Sequence, residues 1–192
     1  MVRKAMYPIN DIFINRWSPR AMSGEDMHHD ELMTLFEAAR WAPSSFNGQP
    51  WRFVYAHRNT ADWERLYSLL VPANQVWAKN AAVLLVIVSR NSFEYNNKPE
   101  RTHSFDTGSA WMSLALQASM MNFVAHGMEG FNADQARKDL HIPDDYTVEA
   151  MVAIGHPGPL DVLPSELQKK EEPSDRKKVE EFIFEGTFPV NK

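Results

Sequence analysis

Three stretches of the chain carry residue types suited to holding a small ligand. The first is Arg16-Trp17-Ser18-Pro19-Arg20. Two arginines at i and i+4 with a serine between them can converge on one phosphate, because a guanidinium fork matches phosphate oxygens in pairs and a hydroxyl adds a neutral donor. The same residues also read as a solvated basic N-terminus. The second stretch is Ala42-Pro43-Ser44-Ser45-Phe46-Asn47-Gly48-Gln49-Pro50-Trp51. Here hydroxyls and amides crowd a connection, where ligand-facing groups are commonly placed. Asn47 and Gln49 can donate and accept at once, which suits the ureide-like edge of a flat heterocycle. Asn-Gly and Gln-Pro chemistry also describes an ordinary turn. The third is Gly127-Met128-Glu129-Gly130-Phe131. Two glycines permit close backbone approach to a flat ligand, or mark the end of a helix.

Other chemistries are missing. The chain has no cysteine, which removes disulfides, thiolate metal sites, iron–sulfur clusters and cysteine nucleophiles, and is compatible with a reducing cytosol. A cytoplasmic location is therefore the expectation. No GxGxxG, GxxxxGK[ST], GxSxG or HExxH occurs. His28 and His29 are adjacent, so on a helix they point about 100° apart and do not share a metal. The longest apolar run, Ala81 to Val88, is too short to cross a bilayer, so no membrane partner is expected. A net charge of −5 argues against nucleic acid. With 192 residues and 44% hydrophobic composition, one domain with a real core is expected over 1–192. Six Trp and ten Met fit either core filling or a surface for flat aromatic ligands.

Elements must position these stretches. The pattern predicts a helix over 30–41 with Leu32, Leu35, Phe36 and Ala39 on one face. A strand is predicted over 51–57, a helix over 61–70 and a buried strand over 82–89. Ser104 or Asp106 can cap a long helix running to about Val124 and ended by Gly127. That helix is apolar most of the way round, with Met112, Leu116 and Met120 off its main face, which predicts burial against a second subunit. A short helix over 132–140 and a strand over 148–154 follow. A polar excursion spans 160–172, and Val179 to Phe184 reads as a strand-like tail. The pattern gives an α+β fold with a mixed or mainly antiparallel sheet.

In order and spacing, RWSPR, APSSFNGQPW and MEGF together resemble the FMN-dependent nitroreductase family across nearly the whole chain. Arg16, Ser18 and Arg20 fill that family's Arg-x-Ser-x-Arg/Lys pattern. Pro43, Ser44, Asn47, Gln49, Pro50 and Trp51 fill its Pro-Ser-x-x-Asn-x-Gln-Pro-Trp pattern. Glu129, Gly130 and Phe131 fill its Glu-Gly-Phe turn, and Arg176-Lys177-Lys178 stands where the family has a basic stretch near the C-terminus. The resemblance implies a nitroreductase-like fold, a mainly antiparallel sheet flanked by helices, in an intertwined homodimer with FMN at the subunit interface. Arg16, Arg20 and Arg176 would hold the phosphate with help from Ser18. Ser44, Ser45 and Asn47 would line the pyrimidine side of the flavin ring, from the same or the other subunit, with Gln49 a further cofactor-binding residue, and the backbone around Glu129 and Gly130 would face its N5 region. Asn74 is carried over as a cofactor-binding residue. NADH or NADPH would donate electrons, and a small nitroaromatic or quinone-like acceptor would take them by a ping-pong mechanism. No protein side chain is assigned a catalytic role. A specialised flavin oxidase or dehalogenase and a non-catalytic FMN-binding dimer are the alternatives. The tail, about 173–192, is expected to embrace the partner.

Overall fold

A computed structural model describes residues 3–189; the ends of the predicted chain and tail, residues 1–2 and 190–192, lie outside the described residues. Four strands form the frame: β1 (Trp51–His57), β2 (Val83–Arg90), β3 (Val124–Met128) and β4 (Tyr146–Gly155). They pair in the order β1-β2-β4-β3, and every neighbouring pair is antiparallel. The sheet is therefore fully antiparallel, and the α+β expectation stands.

Alternation along the two central strands feeds two cores. Leu84, Val86 and Val88 of β2, with Met151 and Ala153 of β4, point to one face. Val83, Leu85 and Ile87, with Val152 and Ile154, point to the other. Both faces are covered, so β2 reads as a continuous apolar run rather than an alternating one. The first face is covered by α3 (Ala61–Ser68), α4 (Pro72–Ala78) and α6 (Ala133–Asp139), through Trp63, Leu66, Trp77 and Ala136. The second is covered by α2 (His29–Arg40) and α5 (His103–Met120), through Leu32, Leu35, Ala39, Ala110, Leu114 and Ala118. A short helix α1 (Ile12–Asn15) precedes them, and α7 (Ser165–Gln168) follows β4.

Local chemistry sets the boundaries. Glu31 accepts from the His28 N–H at 2.9 Å, closing the start of α2. Thr60 Oγ1 accepts from Trp63 N at 3.2 Å at the start of α3. Asn132 Oδ1 accepts from Gln135 N at 2.9 Å at the start of α6. Pro72 occupies the first turn of α4, where its missing N–H costs nothing.

Three expectations are corrected. The long helix stops at Met120, not near Val124. Asn122 takes a left-handed conformation, φ 59°, which turns the chain, and Val124–Met128 becomes the edge strand β3. Gly127 thus lies inside a strand and ends no helix. Neither Ser104 nor Asp106 caps α5: Thr102 holds the cap position without a side-chain cap bond. The tail holds no strand among the described residues. Val179–Glu181 forms a single 3₁₀ turn, and an irregular stretch follows. The β-branched and aromatic residues there pair with no strand of the described residues, and β propensity acts through such neighbours. No helix among the described residues is long and apolar enough to cross a membrane.

Candidate functional site

The N-terminal arginine pattern becomes part of a larger cation cluster. Arg16 Nη1 donates to Ser18 Oγ at 3.3 Å. Arg3, which the motif reading did not single out, donates from Nη1 to the carbonyls of Ile14 and Arg16 at 3.0 and 2.9 Å, and from Nε to the carbonyl of Ser174 at 2.9 Å. That last bond brings the C-terminal segment alongside, where Arg176 Nη1 donates to Ser174 Oγ at 2.9 Å. Burial, then the charges of Arg3 and Arg176, push the Arg16 guanidinium below its ordinary value. Burial and Arg176 do the same to Arg3, against the opposing charge of Asp175. Among the described residues Arg16 has no carboxylate at ion-pair distance. Guanidinium groups gathered against their mutual repulsion gain most from an added anion. Nothing in the sequence near Arg3 signals this role; it follows from the fold joining both ends of the chain.

Arg20 is placed differently. Its Nη1 lies 3.5 Å from Glu171 Oε2, and Glu171 Oε1 also accepts from the backbone N–H groups of Arg20 and Ala21, the latter at 2.8 Å. The Glu171 side chain is only 4% exposed. Glu171 thus pins the 16–20 segment from the far end of the chain. Next to it, His126 of β3 bonds the Pro19 carbonyl through Nδ1 at 2.9 Å and packs on Trp77 with ring centres 4.6 Å apart. Burial lowers the His126 pKa, with Arg20 adding to that effect and the Pro19 carbonyl opposing it.

The second motif forms a tight connection between α2 and β1. Phe46, Asn47 and Gln49 all have positive φ, at 49°, 55° and 48°. Asn tolerates this region; for Phe it costs of order 1 kcal/mol or more, and such strain concentrates at ligand sites. The loop is held internally by Ser44 Oγ, which accepts from Gln49 N at 3.1 Å, and by Gln49 Nε2, which donates to the Asn47 carbonyl at 3.2 Å. It is held to α5 by Asp106 Oδ2, which accepts from Ser45 N at 2.9 Å. The Asn47 side chain is exposed and bonds none of the described residues.

The third motif and Asn74 meet. Asn74 Nδ2 and Val71 N both donate to the Gly130 carbonyl, at 2.9 and 3.1 Å. A Cβ on Gly130 would lie 2.7 Å from Asn74 Nδ2, so the glycine is required by this approach. Glu129 is exposed beside it.

One subunit does not bring all three motifs together. Asn15 and Trp17 line a cavity of about 460 Å³ with Ser119 and Asn122, at the C-terminal end of α5. Ser45 is bonded to Asp106, in the first turn of the same helix. The arginine segment and the Ser44–Gln49 loop are thus separated by about 20 Å along α5.

Comparison with known proteins accords with this geometry. The family model described as Nitroreductase family matches residues 14–76 and 61–156. The chain belongs to the nitroreductase family, as an oxidoreductase of α+β fold. Its structure is similar to a solved structure described as an oxidoreductase containing FMN, with a TM-score of 0.93, 46% sequence identity, and coverage of 98% of this chain and 97% of that one. It is also similar to a nitroreductase family protein from Streptococcus pneumoniae TIGR4, with a TM-score of 0.71 and 20% identity over 91% of this chain and 98% of that one. The sequence is 28% identical to Protein DrgA of Synechocystis sp. over 175 residues, 76% of this chain and 83% of the relative.

Proposed function

We propose that the protein is an FMN-dependent NAD(P)H oxidoreductase that works as a homodimer and reduces small nitroaromatic, quinone-like or similar acceptors. The observation that carries this reading is the Arg3, Arg16 and Arg176 cluster, in which no carboxylate of the described residues lies at ion-pair distance from Arg16, on a chain 46% identical to an FMN-containing oxidoreductase. Arg16, Ser18 and Arg176 hold the phosphate, and Arg3 ties their two segments together. Arg20 contributes positive charge while bound to Glu171. The Asn74 amide, held against the Gly130 carbonyl where only a glycine leaves room for it, and the backbone at Glu129 and Gly130 serve one side of the ring. Ser44, Ser45, Asn47 and Gln49 reach the ring of the partner's cofactor, because their own phosphate cluster lies too far along α5.

The surface supports a dimer. Trp41, Phe46 and Phe105 are 73%, 83% and 77% exposed, and Met112 and Met120 of α5 are exposed with them. Apolar surface on that scale marks a protein interface. Phe182, Ile183, Phe184 and Phe188 of the tail are exposed as well, which fits a segment that packs on a second copy.

When bound, FMN would supply the two-electron redox chemistry that links NADH or NADPH to the acceptor. The chain binds, orients and shields, and none of its side chains is required as nucleophile or tuned acid. The test is to purify the protein, record its flavin spectrum, and add NADH or NADPH without oxygen. Bleaching of the flavin band supports the reading. A yellow protein that ignores both nucleotides favours an oxidase or a binding module, and a colourless protein that takes up no FMN rejects it.

A further inference from the structure

Glu100 is 1% exposed, and no N–H or O–H of the described residues donates to either of its carboxyl oxygens. Such a group is rare, because an ionised carboxylate without donors loses its hydration and gains nothing in return. Its surroundings are specific. On one side lies the ligand loop: a Cβ on Gly48 would sit 2.7 Å from Glu100 Oε1 and 3.0 Å from Oε2, so the loop backbone rests directly on the carboxyl. On the other lies Asp106, also buried, within hydrogen-bond reach. Asp106 Oδ2 accepts from Ser45 N at 2.9 Å and from Thr102 Oγ1 at 3.2 Å, which fixes Asp106 as the acceptor. A carboxylic proton on Glu100 is then the one donor that satisfies both groups.

We propose that Glu100 and Asp106 share a single proton, and that this carboxyl pair is the latch that holds the Ser44–Gln49 loop in its ligand-facing conformation. With the proton present, Glu100 donates to Asp106, and Asp106 keeps its charge for the Ser45 N–H. The loop can then hold its three left-handed residues. Without the proton, two carboxylates face each other in a site sealed from water. The loop backbone is the lid of that site, so it is the part that yields. Burial first, then the Asp106 charge, push the Glu100 carboxyl above its ordinary value. Among the described residues no cation pulls the Glu100 carboxyl down; Arg52 of β1 donates to the Gln49 carbonyl at 2.9 Å and is paired with Glu94. The loop from Ser44 to Pro50 contains no titratable residue. From β2, Arg90 is engaged by Glu94 and Asp145. From α5 and β4, His103 and Glu149 are engaged by Ser89. Arg101, the next residue, is exposed. Glu100 is a positioning residue: it acts on the loop and touches no substrate.

That the loop faces a cofactor rests on the reading above; the latch itself does not, and one experiment separates the two. Backbone hydrogen-exchange protection of Ser45 in the full-length protein, with and without FMN, is followed from about pH 5 to about pH 10. FMN affinity is measured over the same range. In the native protein, Ser45 protection falls on the alkaline side. The FMN Kd there rises by about tenfold per pH unit, the slope for one linked proton. Glu100→Gln keeps the shape and an N–H donor toward Asp106 but cannot ionise, so both profiles flatten. Asp106→Asn removes the neighbouring charge and moves the native midpoint to lower pH, which tests the pairing should the Gln variant fail to fold. Identical profiles in native protein and Glu100→Gln, or an Asp106→Asn midpoint that does not move, overturn the latch. A pH-dependent Ser45 protection in a protein that binds no FMN at any pH leaves the latch standing and overturns the flavin reading instead.

Discussion

Glu171→Ala should be among the more damaging single substitutions outside the apolar core. The native carboxylate accepts from the N–H groups of Arg20 and Ala21 and faces the Arg20 guanidinium at 3.5 Å. Truncation strands the Ala21 N–H, which is buried with its residue at 6% exposure. Bonds to a charged acceptor are worth about 1.5–3 kcal/mol each. Arg20 is about one-third exposed, so its ion pair is screened by water and adds no more than about 1 kcal/mol. The loss should total about 3–5 kcal/mol, the range for breaking a buried charged contact. For a chain of this length it should lower Tm by roughly 6–20 °C. Glu171→Gln keeps a carbonyl oxygen for the two N–H groups and should retain at least half of the difference. Urea denaturation of the three proteins, with FMN absent, measures this directly. An Ala variant within about 1 kcal/mol of native would show that Glu171 does not anchor the 16–20 segment.

Arg16→Ala should weaken FMN binding by roughly 10- to 150-fold, the equivalent of about 1.5–3 kcal/mol for a charge-assisted contact; titration calorimetry showing unchanged affinity would remove Arg16 from the phosphate site. Because His126 is held below its ordinary value, the unfolded chain binds more protons than the native one just below about pH 6.5. Its contribution is therefore full above that pH and lost as the pH falls toward the lowered value. Denaturation at about pH 7.5 and about pH 5 should show a smaller stability loss for His126→Gln than for native protein. Gly158→Ala would place a Cβ 2.5 Å from the carbonyl carbon of Met22, so a loss of about 1–3 kcal/mol is expected from overpacking of backbone, and a neutral result would show that the 157–158 turn can yield.

What the sequence made legible was local. The α2 pattern, the buried β2 run and the Ser44–Gln49 connection follow from periodicity and turn chemistry within a few residues. The β3 strand was hidden because Val124-Ala125-His126-Gly127-Met128 is short, contains a glycine, and continues the apolar run of α5; its pairing with β4 is what makes it a strand. The left-handed Asn122 was the local signal for the break. The tail was misread for the converse reason, since its strand-like composition pairs with no strand among the described residues. Of the site, Arg16 and Ser18 were legible as a pair, and Asn74 with Gly130 only through the family pattern. Arg3, Glu171 and Glu100 carried no motif. Each acts on residues far along the chain, with the Arg3 to Ser174 and Glu171 to Arg20 bonds joining opposite termini, and such contacts have no local signature.

The distance along α5 between the arginine segment and the Ser44–Gln49 loop has a genetic consequence under the two-subunit reading. Each binding centre then draws on two gene products, so two impaired alleles can rescue one another. A subunit carrying Arg16→Ala still donates an intact loop, and one carrying Asn47→Ala still donates intact arginines. In a mixed dimer both lesions fall in the same centre, and the other centre is assembled wholly from native parts. Co-expression of two such alleles should yield mixed dimers with one fully native centre of two, although each allele alone is impaired. Recessive loss at one end of the helix and recessive loss at the other would then belong to separate complementation groups within a single gene.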